Sequence, residues 1–514
     1  MRFPSFRLLP VLALSVAAPL AGQQPLTVDT TGVGAVLDEG TNRSDVMKNL
    51  AYLSDVIGPR LTGSAAARAA NDWTMQRFQG YGLSAHLEQW NFGGTWTRGP
   101  MWARLVVPRT HDLVAASWAW SPGTLGKPVR GPVVRIDASN ADSFAANRAR
   151  VKGAWVMLAA PGMVWNNDGP PMTAADSQRQ RDFFRRAFGP PAGLDSVQRA
   201  IITQFRNDLP FLLRNAGALG EVVDAGKEQD LLNMSGSPNR IYPYPRIVVA
   251  HEEYAMLDRL VAAGVAPQVE ASITNSMTTD SVPQWNTVAE IKGSTTPGEV
   301  VIVGAHLDSW DLGNGTTDNG TGSMATLEAA RILVRSGVKP RRTIRFVLFT
   351  GEEEGLIGSR KYAETHAAEA DSIQAVIVLD NGAGAITGQA LQGRPDLYYL
   401  WRALLKPVHD LNADTVTDAM KGGTDHLSFL PYGVPGFNFN QITRGYNHTH
   451  HSQSDTYDKA IDWDLRQAST VMAVSALELA NLDGMIPRGT KRPVQPMTAT
   501  KITDSLMVRG KGTR

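Results

Sequence analysis

In the stretch Val301-Ile-Val-Gly-Ala-His306-Leu-Asp308-Ser-Trp-Asp311, a run of apolar residues leads directly into a histidine and two acids. Such a run predicts a buried strand with His306 at its carboxyl end. His306 and Asp308 are two residues apart and therefore face the same side. A histidine that binds a metal through one ring nitrogen needs an acceptor for the other, which a carboxylate supplies. The alternative is an ordinary solvated loop, because His-x-Asp alone is a weak motif.

Two further apolar runs end in carboxylates in the same way. Phe346-Val-Leu-Phe-Thr-Gly precedes three glutamates at 352–354, and Val376-Ile-Val-Leu precedes Asp380. Adjacent like charges repel unless a cation or a shared proton relieves them. Neighbouring glutamates also project differently, so one can ligate a metal while the next reaches a water. The alternatives are an acidic helix start that suits the helix dipole and, for Asp380, a plain turn.

Two loops supply the remaining candidate ligands. The loop 313–322, Gly-Asn-Gly-Thr-Thr-Asp-Asn-Gly-Thr-Gly, carries Asp318. Its glycines let the backbone fold tightly and aim a carboxylate inward. His448, His450 and His451 place three of the ten histidines within four residues. The respective alternatives are a capping aspartate before a helix and an accidental surface cluster.

Residues 286–485 alternate short strand-like runs with helix candidates at 322–336 and 357–369. This alternation predicts an α/β fold with a mostly parallel central sheet flanked by helices. Residues that follow the strands of such a sheet meet in one crevice, which favours a joint site over the separate alternatives. His, Asp and Glu without Cys suit catalytic zinc, although cobalt and manganese accept similar ligands. One carboxylate bridging two zincs about 3.5–4 Å apart would use these residue types.

The composition narrows the class of protein. With 514 residues, 43% hydrophobic and 19% charged, the chain can form two or three folded domains. Lys and Arg number 50 against 49 Asp and Glu, and a net charge of +1 gives no reason to expect nucleic acid or an anionic membrane as partner. The chain has no cysteine, which excludes disulfides, thiol catalysis and cysteine-ligated zinc.

The N-terminus is typical of an export signal. Arg2 and Arg7 precede an apolar run at 8–20, and the small residues at 21 and 22 offer a cleavage site. The run is too short to span a bilayer comfortably. We therefore expect a secreted or periplasmic product without membrane attachment once the signal is removed; a buried helix or a membrane anchor is the alternative.

The texture of the sequence also changes along the chain. Residues 96–285 contain many Trp, Pro and Gly residues and several short apolar runs, without a cluster of catalytic residue types. This favours a separate strand-rich domain. The predicted division is a signal peptide at 1–22, an N-terminal helical part of the catalytic domain at 23–95, an inserted β-rich domain at 96–285, the catalytic domain at 286–486 and a flexible tail at 487–514.

In order and spacing, these motifs resemble the co-catalytic zinc aminopeptidase family over nearly the whole mature chain. The stretch 306–311 is most similar to the plasma glutamate carboxypeptidase-like branch, and 58–64 resembles the family's N-terminal helical turn. Segments around 131–161 and 248–252 resemble an inserted protease-associated domain. The matching motifs are His306-Leu-Asp308, Asp318-Asn-Gly, Glu352-Glu353, Asp380 and His451-Ser-Gln-Ser-Asp-Thr.

The resemblance implies a fold of the zinc exopeptidase type with two zinc ions per chain. His306 and Asp380 would hold one zinc, and Glu353 and His451 would hold the other. Asp318 would bridge the two. The family has a cis peptide after the bridging carboxylate, so we expect one on the carboxyl side of Asp318.

The resemblance also implies roles around the metals. Glu352 would be the general base that takes a proton from the attacking water and passes it to the leaving amine. Asp308 would orient the first histidine ligand. Many relatives have a tyrosine where this chain has His450, so the group that stabilises the oxyanion is His450, Tyr446 or the metal alone. The stretch 422–426 resembles a motif near the substrate and would bring Asp425 to the site, unless it is a helix cap.

The predicted function is a secreted metallo-exopeptidase, an aminopeptidase or dipeptidase, that acts on peptides or dipeptides without a covalent intermediate. Carboxypeptidase action and glutaminyl cyclisation are alternatives on the same fold, and a homodimer is compatible with either. A receptor-like module on an inactive peptidase fold is disfavoured because all five ligand positions and Glu352 are present. A serine hydrolase is disfavoured because no Gly-x-Ser-x-Gly elbow lies at a strand-to-helix turn.

Overall fold

The structure, a computed structural model, describes residues 26–162, 164 and 194–494. The predicted signal peptide and residues 495–514 of the predicted tail lie outside these described residues. Residues 487–494 form neither helix nor strand.

The described strands form two eight-stranded sheets and one two-stranded sheet. In chain order they are β1 Ser84–Phe92, β2 Trp96–Thr97, β3 Met101–Val107, β4 His111–Asp112, β5 Ala115–Ser117, β6 Val129–Arg135, β7 Trp155–Met157, β8 Gly220–Asp224, β9 Arg246–Val249, β10 Gln268–Ile273, β11 Ser276–Met277, β12 Val282–Ile291, β13 Thr296–His306, β14 Arg342–Phe349, β15 Ile373–Val378, β16 Ile386–Ala390, β17 Thr415–Thr417 and β18 Gly436–Gln441.

The α-helices lie mostly between the strands of the first sheet and at the two ends of the described chain. They are α1 Val33–Asn42, α2 Val46–Ala51, α3 Ala65–Gly80, α4 Ala141–Asn147, α5 Ser196–Asn215, α6 His251–Ala262, α7 Thr321–Arg335, α8 Ile357–Thr365, α9 Tyr398–Leu404, α10 Tyr446–Thr449 and α11 Asp462–Asn481.

The first sheet has the strand order β1-β12-β14-β13-β15-β18-β16-β17. Its central strands β14, β13, β15 and β18 run parallel, while β1 and β12 add an antiparallel edge. At the other edge, β16 is antiparallel to β18 and parallel to β17. The predicted α/β fold with a mostly parallel central sheet and flanking helices is confirmed. The predicted helix 322–336 is α7, and the helix predicted at 357–369 is α8 followed by a 3-10 turn, Ala367–Ser372.

Both faces of this sheet are buried, as the continuous apolar runs require. In β13, Val301 and Val303 pack in the core that contains α7 and α11, whereas Val300 and Ile302 pack on the opposite face. The alternation follows from the two-residue period of a strand. Full burial of each such side chain stabilises the fold by about 1.5–3 kcal/mol.

Helix α3 begins at a side-chain cap. The Ser64 hydroxyl accepts a hydrogen bond from the backbone N–H of Ala67 and so caps the first turn. On the buried side of α3, Asn71 donates to the Thr287 hydroxyl on β12, which fixes the helix against the first sheet.

The second sheet is built entirely from residues 101–273, between the first sheet's strands β1 and β12. Its order is β4-β3-β10-β6-β7-β8-β9-β5, with β6 to β9 parallel. Because β1 and β12 pair with each other from Ser84↔Glu290 to Phe92↔Val282, the chain leaves and re-enters the first sheet at one point. The division into domains at 96–285 and 286–486 stays a prediction.

An aromatic cluster lies where the two sheets meet. The fully buried Trp120 ring makes edge contacts with Phe92 of β1, at a centroid distance of 5.9 Å, and with Trp310 after β13, at 6.3 Å. Trp310 in turn contacts the ring of His451 edge-on at 5.8 Å. The cluster therefore joins the second sheet to the loop that carries a candidate metal ligand.

Among the described residues no helix is long and apolar enough to cross a membrane.

We expect Trp120→Ala to lower the free energy of unfolding by about 3–5 kcal/mol, because it leaves a large cavity between the sheets. The control is Trp463→Ala, whose side chain is exposed and whose loss should cost under about 0.5 kcal/mol. Urea denaturation followed by circular dichroism measures both. Equal midpoints for the two variants would contradict the packing described here.

Candidate active site

Three neighbouring parallel strands bring their carboxyl ends to one edge of the first sheet. β13 ends at His306, which pairs with Phe349 at the end of β14. Gly304 pairs with Val378 of β15, so Asp380 lies level with His306. The glutamates 352–354 follow β14 by three residues. The geometry of the parallel pairing alone therefore places these acids beside one another.

Asp318 lies between two imidazoles. Its Oδ1 is 3.4 Å from Nε2 of His306, and its Oδ2 is 3.4 Å from Nε2 of His451. Asp380 Oδ1 lies 3.6 Å from the same His306 nitrogen, and Glu353 Oε2 lies 3.0 Å from His451 Nε2. The structure thus brings all five sequence-predicted ligands together, in two groups that share one carboxylate.

The loop of Asp318 is held by a second carboxylate. Asp455 accepts hydrogen bonds from the backbone N–H of Thr317 at 2.6 Å and of Asp318 at 3.2 Å. The peptide bond between Asp318 and Asn319 is cis, as the resemblance implies. Asn319 donates through its side chain to the Leu379 carbonyl at 2.9 Å, which ties the loop to the end of β15.

A buried arginine, Arg60, holds the segment after β13 and the loop of Asp318 together. The Arg60 guanidinium donates to the carbonyl oxygens of Leu307 at 2.7 Å, Asn314 at 2.9 Å and Gly315 at 2.6 Å. Gly315 has a φ of +61°, and a side chain there would collide with Ser309. The segment 58–64 therefore fixes both the end of β13 and the loop of Asp318.

Asp308 acts on the site through two different groups. Nδ1 of His306 lies 3.1 Å from the main-chain carbonyl oxygen of Asp308, while the Asp308 carboxylate is 3.6 Å away. A carbonyl can only accept, so Nδ1 carries a proton, and Nε2 is the ring nitrogen that faces Asp318 and Asp380. The Asp308 carboxylate instead accepts hydrogen bonds from the Thr62 hydroxyl at 3.1 Å and the Glu353 N–H at 3.3 Å. The expectation that the carboxylate orients His306 needs this refinement.

The buried carboxylates and imidazoles of this cluster would be stabilised by bound cations. Burial and repulsion among the carboxylates raise the pKa of Glu352 and of Glu353 well above the usual range. Although burial opposes it, the neighbouring Asp380 carboxylate raises the pKa of His306. Within the described part of the chain, Nε2 of His306, Oδ2 of Asp318 and Oε1 of Glu353 are buried and find no hydrogen-bond partner. Buried polar atoms of this kind require a partner, and divalent cations fit a set of imidazole nitrogens and carboxylate oxygens.

His450 lies at the edge of the same cluster. Its ring stacks on that of His451 at a centroid distance of 3.7 Å, and its Nε2 is 3.8 Å from Asp318 Oδ2. Asp318, His450 and His451 can each offer one ligand atom within 4.8 Å of the others, as can His306, Asp318 and Asp380. His450 is thus placed either to donate to a substrate or to join the ligands, and its side chain is 43% exposed.

Asp425 is fully buried at the start of a 3-10 turn, Asp425–Ser428. Burial raises its pKa to about 7. Its charge also acts on Glu352, whose pKa it helps to raise. The charges of Asp425 and Glu352 therefore interact, and a place for Asp425 near the substrate stays a prediction.

Sequence reasoning missed three residues that support the site. Arg60 and Asp455 lie inside motifs that the resemblance had matched, but a motif does not show which backbone groups a side chain holds. The third, Lys227, follows β8 of the second sheet and donates from Nζ to the carbonyl of Asn447 in α10. Its only sequence signal is its own charge, since 220 residues separate it from the histidine loop.

We expect Asp455→Asn to weaken zinc binding by about 10–100-fold, because a group that orients the ligands is lost while the ligands stay. The matched control is Asp458→Asn, three residues on, where the side chain is exposed. Competitive titration with a fluorescent chelator measures both variants. Unchanged affinity in Asp455→Asn would contradict its role in holding the loop of Asp318.

Comparison with known proteins shows to which family the chain belongs and which solved structures have a similar fold. The sequence profile of peptidase family M28 matches residues 286–477. The chain is 30% identical to carboxypeptidase Q of Mus musculus over 460 residues, covering 88% of this chain and 89% of the relative. Its fold is similar to that of a peptidase M28 precursor from Shewanella amazonensis, with a TM-score of 0.72, 22% identity and coverage of 89% of this chain and 98% of that one. It is also similar to that of the zinc aminopeptidase of Bacillus subtilis, with a TM-score of 0.59, 18% identity and coverage of 85% and 97%. The chain therefore belongs to peptidase family M28 and is a metallo-exopeptidase.

Proposed function

We propose that this peptidase is an exported two-zinc enzyme that hydrolyses dipeptides or removes terminal residues from short peptides. The observation that carries the proposal is the position of Asp318, 3.4 Å from each of two histidine nitrogens that have separate acidic neighbours. The predicted signal at 1–22 supports export. The Bacillus subtilis structure of similar fold is of a zinc aminopeptidase, which supports zinc as the metal.

The residues present fit two zinc ions. His306 and Asp380 would hold one ion, Glu353 and His451 the other, and Asp318 would contact both. Nitrogen and carboxylate donors without thiolates are typical of catalytic zinc. When bound, zinc supplies Lewis-acid polarisation of the scissile carbonyl and lowers the pKa of water.

Glu352 is the group best placed to move the proton. Its carboxylate lies at the cluster, with Oε2 4.0 Å from His306 Nε2, and its side chain is 10% exposed. Burial raises its pKa, which brings a carboxyl closer to the range in which it can both accept and return a proton. Glu352 therefore takes a proton from the attacking water and delivers it to the leaving amine.

His450 is the proposed donor to the oxyanion. The His450 side chain is 43% exposed and its Nε2 lies 3.8 Å from Asp318 Oδ2, which supports a position beside the scissile carbonyl. Burial lowers the pKa of His450, so the ring is neutral and keeps one N–H to donate. Tyr446 packs edge-on against His450 at 5.1 Å and supports its ring.

Aminopeptidase and carboxypeptidase activity cannot be distinguished on a dipeptide substrate. A dipeptide has one peptide bond, so removal of its first residue and of its last residue are the same reaction. Dipeptide hydrolysis therefore accommodates both the aminopeptidase structure of similar fold and the carboxypeptidase Q relative. An inactive receptor-like module is disfavoured, since the ligands and Glu352 all meet at one edge.

We expect Glu352→Gln to keep its zinc and to lose about 10²–10⁴-fold in kcat, because the amide cannot accept the proton. Glu364→Gln, on an exposed part of α8, is the matched control and should leave kcat unchanged. Dipeptide hydrolysis and zinc content are measured on the same samples. Near-full activity of Glu352→Gln would show that the base is another group.

We expect His450→Ala to retain both zincs and to lose about 10²–10³-fold in kcat, the typical effect of removing an oxyanion donor. Tyr446→Phe should lose much less, since the phenyl ring still supports His450. Zinc analysis beside steady-state kinetics distinguishes the roles. Loss of one zinc in His450→Ala would make His450 a ligand, and a larger defect in Tyr446→Phe would make the tyrosine the donor.

A further inference from the structure

A buried asparagine of β12 holds both ends of the loop that carries the three glutamates. Asn286 is 2% exposed, and its Oδ1 accepts a hydrogen bond from the backbone N–H of Thr350 at 3.1 Å. Its Nδ2 donates to the carbonyl oxygen of Gly358, also at 3.1 Å. Thr350 lies two residues before the glutamates 352–354 and Gly358 lies four residues after them. One amide side chain therefore connects the start of this glutamate loop, residues 350–358, to its end.

The main chain at the base of the glutamate loop is packed closely against Asn286. The N–H of Gly358 donates to the Thr350 carbonyl at 3.0 Å. A Cβ at position 358 would lie 2.7 Å from Asn286 Oδ1 and closer still to the Thr350 carbonyl oxygen, so this approach needs a glycine. The Thr350 hydroxyl donates to the carbonyl of Trp285 at 2.7 Å. The base of the loop is thus attached to two successive residues of β12.

The glutamate loop carries a concentration of negative charge that opposes its own closure. The side chains of Glu352 and Glu353 are 10% and 3% exposed, and Glu354 is buried beside them. Both carboxylate oxygens of Glu354 find no hydrogen-bond partner in the described part of the chain. Like charges so close together repel one another and favour a more open, hydrated loop. Contacts that hold the two ends together, such as those of Asn286, oppose this opening.

We propose that Asn286 is a positioning residue that keeps the glutamate loop closed and thereby sets where Glu352 and Glu353 stand. The proposal rests on the proposed function, which makes Glu352 the base and Glu353 a zinc ligand. An asparagine amide has an acceptor and a donor without a charge, so it can bind an N–H and a carbonyl at once. An aspartate would lose the donor and add a fourth negative charge. A displacement of about 1 Å in a catalytic group can lower a rate by about 10²-fold.

The test compares Asn286→Ala with a matched loss elsewhere on β12. Asn71 is equally buried and donates to the Thr287 hydroxyl at 3.0 Å, but it holds helix α3 and not the glutamate loop. We expect Asn286→Ala to weaken one of the two zinc sites by about 10–100-fold and to lower kcat at saturating zinc by a similar factor. KM should change much less. Asn71→Ala should lower Tm by a similar amount and leave zinc affinity and kcat unchanged.

Chelator titration, steady-state kinetics on a dipeptide and thermal unfolding give the three readouts. A double variant adds a fourth, since residues that act through the same group are not additive. We expect the effects of Asn286→Ala and Glu352→Gln on kcat to be smaller together than their product. Asn286→Asp keeps the size of the side chain and the acceptor for Thr350, and it should show the same pattern if Asn286→Ala does not fold.

Equal weakening of both zinc sites, or unchanged zinc affinity and kcat, would overturn the proposal and leave Asn286 a structural role. Full multiplication of the two kcat effects would also overturn it. Near-full activity of Glu352→Gln alone would contradict the proposed base, whereas the zinc titration of Asn286→Ala would still decide whether Asn286 positions Glu353.

Discussion

The structure depends on keeping several acids and two imidazoles in contact away from bulk water. Asp318 shares its two oxygens between His306 and His451, and Glu353 and Asp380 approach the same nitrogens. Without a compensating positive charge this arrangement is unfavourable, because buried carboxylates repel one another and lose their hydration. The parallel strands deliver the groups to one edge, and the surrounding loops hold them there.

Much of this holding is done by main-chain hydrogen bonds to buried charged side chains. Arg60 fixes three carbonyl oxygens of the segments around β13 and the loop of Asp318, and Asp455 fixes two N–H groups of the same loop. These two residues have opposite charges and act on opposite kinds of backbone group. Hydrogen bonds from both residues therefore fix the loop that carries the Asp318 carboxylate, which favours a preorganised site.

Loops of the segment that forms the second sheet contact the site. Met234 holds the carbonyl of His451, and Trp310 links the His451 ring to the aromatic cluster around Trp120. His451 itself has a φ of +58°, a conformation uncommon for residues other than glycine. Contacts from loops in the segment between β1 and β12 therefore help to keep this candidate ligand in an unusual backbone geometry.

The sequence alone singles out the candidate ligands because each one stands at a recognisable place. His306, Glu353 and Asp380 follow apolar runs, and parallel strands align such positions without any long-range information. Asp318 and His451 lie in loops, and only the joint pattern and the family resemblance singled them out.

The remaining features depend on contacts that a linear sequence does not contain. Whether the carbonyl or the carboxylate of Asp308 meets His306 is decided by local geometry at the end of β13. The approach of Lys227 to Asn447 joins positions 220 residues apart and follows from how the two sheets pack. The mixed pairing of the second sheet, with β6 to β9 parallel, likewise had no counterpart in its short apolar runs.

The most direct measurement of the central claim is crystallography of the zinc-loaded protein with anomalous data collected on both sides of the zinc absorption edge. The account predicts two anomalous peaks per chain, about 3.5–4 Å apart, with one oxygen of Asp318 on each. One peak would be flanked by His306 and Asp380, and the other by Glu353 and His451. A single peak, or two peaks of which only one contacts Asp318, would contradict the account.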